Sequence, residues 1–183
     1  MPAASRGPPA FSWSAAVFGA VLLVVPLSLP AVSAYLARKS ALRSAGLVLP
    51  SAEAFPGAKA LNAFDDDPET EWVTPPGPSA WLVVMPPSPR QVSSIELEPR
   101  QTDVLAGWHK VGVVLYLGGQ TVGRQEFDLP DAASRPLQVL KLDNPAAADG
   151  IELRFSEPVS VNLKGDKVPP ESVYAGYREI RIR

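Results

Sequence analysis

Three consecutive carboxylates, Asp65, Asp66 and Asp67, stand in the stretch A-L-N-A-F-D-D-D-P-E-T-E-W, residues 60–72. Leu61 and Phe64 precede them, Pro68 turns the chain, and Thr70 and Trp72 follow. Like charges packed this closely raise the energy unless something offsets them. Exposure to water is one remedy, since charge runs are commonly solvated. A bound cation is the other, and Ca²⁺ takes several oxygen ligands at about 2.3–2.6 Å. A turn whose Asp side chains accept from backbone N–H groups fits the same residues.

Other chemistry is narrowly bounded. The chain has no Cys, which excludes disulfides, zinc–thiolate sites and Cys nucleophiles, and its one His, His109, excludes multi-His metal sites. No G-x-S-x-G, H-E-x-x-H, Walker loop or dinucleotide fingerprint occurs. Ser/His/Asp chemistry has a single His to draw on and nothing else in its favour. Glu96 and Glu98 share one strand face, where solvent explains them. The polar stretch Asn162–Ser172 is long enough for a binding loop, with Lys164 and Lys167 read as solvated. Trp72 and Trp81 read as core. The expectation is a non-enzyme.

Charge is unevenly placed. Of 17 basic residues, four (Arg6, Arg38, Lys39 and Arg43) precede residue 45; the remaining 13 face all 19 acidic residues, a net of −6. So acidic a remainder excludes nucleic acid as a partner. Residues 1–13 read as a disordered head, small and Pro-rich. Gly7 to Ala37 carries no charge, and Trp13 and Tyr35 would lie about 33 Å apart on a helix, close to the hydrocarbon thickness. Residues 14–37 are therefore expected to be a transmembrane helix anchoring the chain to the membrane, stopped by Arg38, Lys39 and Arg43. A signal peptide cleaved after V-S-A at Ala34 is the alternative, which would make the protein secreted. Residues 38–50 follow as a juxtamembrane linker, and 51–183 as the domain.

Within the domain, short strand-like runs alternate with Pro and Gly. Trp81–Met85 is continuously apolar and ends at P-P-S-P, which places it near a sheet edge or ends it there. Val92–Glu98 turns Ile95 and Leu97 one way and Ser94, Glu96 and Glu98 the other. Trp108–Leu117 puts Val111, Val113, Leu115 and Leu117 on one face, and Gly118-Gly119 predicts a hairpin back through Val122–Leu129. Leu137–Leu142, Ile151–Phe155 and Tyr177–Arg183 complete the set, with residues 156–173 read as a loop. No amphipathic helix follows residue 45. The pattern predicts an all-β sandwich or barrel.

The order A-x-N-A-x-D-x-D-x-x-T-x-W, then W-L-V-V, an I-x-L strand and a closing R-E-I-R-I resembles the discoidin (coagulation-factor C-type, galactose-binding-like) family across roughly residues 50–183. The resemblance implies a discoidin-like jelly-roll β-sandwich. It implies a structural Ca²⁺ held by loop carbonyls with Asp65, Asp67, Thr70 and Glu179. It also implies glycan binding at one end, where Arg100, Trp108 and His109 have the right types for stacking on a sugar and reading its hydroxyls. One departure stands out: the family has Gly between the two Asp residues, and this chain has Asp66, which only tolerates positive φ. The function expected is a membrane-tethered binding module, single-pass with its domain extracytoplasmic. Its expected partner is a glycan or, if the sugar site is lost, an envelope protein in an assembly.

Overall fold

Period-two alternation builds the strands of the computed structural model, which describes residues 40, 45–100, 104–130, 137–162 and 166–183. The chain divides into two units, Met1–Ala37 and Arg38–Arg183. The first unit, with the expected head 1–13 and span 14–37, lies outside the described residues. Among the described residues no helix is long and apolar enough to cross a membrane.

The strands are β1 (Leu47–Pro50), β2 (Trp72–Val73), β3 (Ser79–Met85), β4 (Arg90–Pro99), β5 (Val104–Leu117), β6 (Gln120–Asp128), β7 (Gln138–Ala148), β8 (Gly150–Asn162) and β9 (Gly176–Ile182). One sheet runs β1-β3-β8-β5-β6 and the other β2-β9-β4-β7. Every pairing is antiparallel. Ala80, Leu82 and Val84 of β3, Val111, Val113 and Leu115 of β5, and Ile151, Leu153 and Phe155 of β8 bury the inner face of the first sheet. Ile95, Leu97, Tyr177 and Ile180 answer from the second. Phe155 is the hub of the core: its ring centroid lies 5.0 Å from Tyr177, 6.1 Å from Trp72 and 6.2 Å from Trp108, all tilted, as aromatic pairs prefer.

The all-β sandwich and the inward faces of β4 and β8 agree with the sequence pattern. The double glycine does as well: Gly118 and Gly119 take φ of 58° and 78°, the left-handed pair that a two-residue hairpin needs. Four readings change. Residues 38–50 end in a strand, since β1 pairs with β3 from Leu47↔Met85 to Pro50↔Leu82, and β3 is therefore one strand in from the edge. Residues 156–162, read as the start of a loop, are strand, and β5 begins four residues before Trp108: Val104↔Asn162 through Trp108↔Pro158 pair with each other. Trp81 faces outward and is 42% exposed, because its neighbours Ala80 and Leu82 take the inward positions. Leu117, one residue from the turn, is exposed too.

Candidate functional site

The acidic loop follows a 3-10 turn, Ala60–Phe64, whose Ala63 and Phe64 are buried. Its carboxylates are used close to home. Asp65 Oδ1 accepts from the Asp67 N–H at 3.0 Å and from the Thr70 hydroxyl at 2.8 Å, while Asp67 Oδ1 accepts from the Glu69 N–H at 3.1 Å. These are the backbone-mimicking bonds through which Asp stabilises turns. Asp66 takes φ of 55°, the left-handed conformation for which the resemblance has Gly.

Cations from β9 offset the acidic run. Arg178 donates to the Pro68 carbonyl at 2.6 Å. Arg181 lies 3.4 Å from Asp66 Oδ1, 3.9 Å from Glu98 Oε2 and 4.0 Å from Glu179 Oε2. Glu179 is nearly buried, at 6% exposure, and accepts a hydrogen bond from the Asp66 backbone N–H. Burial pushes its carboxyl up to about 7, the Asp66 and Asp65 charges push the same way, and the Arg181 guanidinium and that hydrogen bond pull it down. The closing strand thus does tie to the acidic loop through Glu179. Of the residues expected to hold Ca²⁺ with loop carbonyls, Asp65 and Thr70 meet at 2.8 Å, and Glu179 reaches the loop at the Asp66 N–H. Among the described residues no three His, Asp or Glu side chains converge on a metal position, and a guanidinium stands amid Asp66, Glu98 and Glu179.

Arg100, Trp108 and His109 do not come together as a sugar site. Trp108 is 3% exposed and packs on Phe155, so it cannot present a face to a ligand. His109 is exposed in mid-strand. Alternation slips there: Trp108 and Val111 are both buried with two residues between them, close to Glu157, which takes φ of 57° on the paired strand.

Arg100 belongs to a different cluster, which the sequence reading missed. Its Nε donates to Glu71 Oε1 at 2.8 Å and a terminal nitrogen donates to the Tyr174 carbonyl at 3.2 Å. Tyr174 packs on Phe55, ring centroids 5.1 Å apart, and both are exposed, at 40% and 46%. Backbone bonds hold the loops that carry them: Ala54 N–H to Val73 O at 2.8 Å, and Arg100 N–H to Gly176 O at 3.2 Å. Trp72 adds its indole N–H to the Ala52 carbonyl at 3.2 Å. Gly176 is required where it stands, since a Cβ there would meet the Trp72 carbonyl oxygen. The result is a solvent-facing pair of rings beside a fixed donor–acceptor pair.

No protein-family model matches the chain, and no curated protein matches it in sequence. Solved structures match it in fold. Chitosan-binding module 1 from a chitosanase/glucanase of Paenibacillus sp. IK-5 superposes with a TM-score of 0.57 over 78% of this chain and 97% of that one, at 15% identity. The family 32 carbohydrate-binding module of C. perfringens NanJ, in complex with galactose, gives 0.56 over 78% and 96%, at 19% identity. The lectin domain of lectinolysin, complexed with Lewis B antigen, gives 0.56 over 78% and 95%, at 16% identity. The fold is the jelly roll of the family 32 carbohydrate-binding modules. The discoidin-like, galactose-binding-like sandwich expected from the sequence is this architecture.

Proposed function

We propose that the domain is a non-catalytic glycan-binding module whose loop end, built from Phe55, Tyr174, Arg100 and Glu71, takes the sugar. The exposed Phe55–Tyr174 pair carries the reading. An aromatic face offers apolar area with a partial negative charge that suits the C–H face of a pyranose. The Arg100–Glu71 pair presents donors and acceptors already held in place, as sites that orient a ligand through a few polar groups do. The solved structures of like fold include modules bound to galactose and to Lewis B antigen, which supports the class and leaves the sugar open. Residues 14–37 would tether the module to a membrane with the domain extracytoplasmic; retention in the membrane fraction through alkaline extraction tests this.

Binding of the full chain to a glycan array, repeated with Tyr174→Ala and Arg100→Ala, tests the function. Retained sugars should weaken by about tenfold on loss of a ring. If no glycan binds at millimolar concentration, the reading fails. The assembly reading, contact with an envelope protein, then takes its place. It has its own support in the exposed Leu47, Leu49 and Met85, which line one side of the β1–β3 edge.

A further inference from the structure

The outer face of the five-stranded sheet is open in a way that strand pairing alone does not require. Pairing sets Trp81, Arg154, Gly112 and Glu126 in one row across β3, β8, β5 and β6, and Val83, Glu152, Val114 and Arg124 in the next. Gly112 leaves a gap between two long side chains. The gap is real space: a Cβ at Gly112 would sit 3.8 Å from Arg154 Cβ, an ordinary contact. Trp81 walls one side of the hollow, Arg124 and Glu126 the other, and its volume is about 500 Å³.

Its chemistry is specific. Arg154 Nε and a terminal nitrogen grip Glu152 at 2.7 and 2.9 Å, and the Tyr116 hydroxyl donates to the same carboxylate at 2.8 Å. Glu152 therefore has little freedom to reorient, and charge-assisted bonds of this kind are the strong ones. Arg154 holds the Glu152 carboxyl below its usual range, so it stays an acceptor. The lining carries Arg124 and Arg154 against Glu126 and Glu152: no net charge, which gives no pull on an anionic or cationic ligand. An exposed indole face, fixed donors and acceptors and zero net charge together suit a neutral polyol ring system. The row spans three inter-strand steps, about 14 Å, longer than a single pyranose.

The geometry points to a second saccharide site in this hollow: a neutral oligosaccharide lies across the strands, one ring stacked on Trp81, its hydroxyls read by Arg154, Glu152 and Arg124, with Gly112 as the floor. It shares the ligand class of the loop-end reading and none of its residues. A protein surface would have to cover the same charged pairs without the many hydroxyls that can satisfy them.

The test is an NMR titration of the full chain with cellohexaose, N-acetylchitohexaose and a galactan-derived hexasaccharide at millimolar concentration. The Trp81 indole N–H reports on the hollow and the Arg100 Nε–H on the loop end. The buried Trp72 indole N–H reports on the fold. At least one sugar should move the Trp81 signal. Trp81→Ala and the hollow-filling Gly112→Val should each weaken that sugar by about tenfold as read at the Arg124 and Arg154 Nε–H signals, with Trp72 unmoved. Gly112→Val is the variant that keeps the proposal testable if Trp81→Ala unfolds, because valine suits a strand. If a sugar moves Arg100 and leaves Trp81 in place, or binds the hollow equally well in Gly112→Val, the hollow is overturned and the loop-end reading stands. If no sugar in the panel moves the Trp81 signal, the hollow is overturned, and the loop-end reading is decided by the glycan array.

Discussion

Replacing Glu179 with glutamine should make the protein more stable at neutral and higher pH. Folding moves this carboxyl from its ordinary 4.5 to about 7, chiefly through burial. Between those values the folded chain binds more protons than the unfolded one, so the wild type loses stability as pH rises through the window and levels off above about 7. A rise of about 2.5 pH units, at about 1.36 kcal/mol each, is about 3 kcal/mol. Gln keeps an acceptor for the Asp66 N–H and does not titrate. Its stability relative to wild type should therefore climb by about 3 kcal/mol between about pH 4 and pH 8. In melting temperature this is about 6 to 12 °C for a domain of this size. Urea unfolding at a series of pH values, with both proteins measured side by side, gives the difference directly and cancels the other carboxylates. A flat difference would refute the burial argument. A difference of opposite slope would mean that Glu179 is held ionised in the fold, as by a tightly bound cation.

The same loop yields two further tests. Asp66→Gly and Asp66→Ala both lose the contact with Arg181, so their difference isolates the backbone; at φ of 55° the Gly variant should be the more stable by about 1 kcal/mol in denaturant titration. With Arg181 among the carboxylates, adding Ca²⁺ or chelator should leave the melting temperature unchanged, whereas Ca²⁺ at 100 times its Kd would add about 2.7 kcal/mol; metal content of the purified protein should be measured alongside. At the loop end, Gly176→Ala drives a methyl into the Trp72 carbonyl and should cost at least about 3 kcal/mol, read as a fall in the urea midpoint.

What the sequence made legible was local. Alternation in I-E-L-E and I-E-L-R-F announced which side chains of β4 and β8 point inward, and Gly118-Gly119 announced its turn. Asp66 in a glycine position announced the left-handed residue. What it hid depended on partners distant in the chain. The run W-L-V-V-M is apolar at every position, so it reads as buried on both faces; only its pairing with R-F on β8 and with β1 shows Trp81 turned outward. Residues 104–107 and 158–162 are short runs interrupted by Gly107 and Pro158, and they become strand by pairing with each other. The ring pair Phe55–Tyr174 joins two loops with no common motif. Nothing in the closing run Y-R-E-I-R-I-R marks Arg178 and Arg181 as partners of the acidic loop, and only the fold lays them against it.

The place of β9 bears on how the protein is made. It is the last strand in chain order, yet it lies between β2 and β4. About a hundred residues separate β2 from it, which is about 5 to 20 s of synthesis. Through that interval β2 has no partner in its sheet, β4 shows an open edge to any extended segment nearby, and the arginines that quiet the acidic loop do not yet exist. Unpaired edges of this kind are where nascent chains join one another. The order in which the strands emerge thus leaves the β4 edge and the acidic loop without their partners until β9 is made.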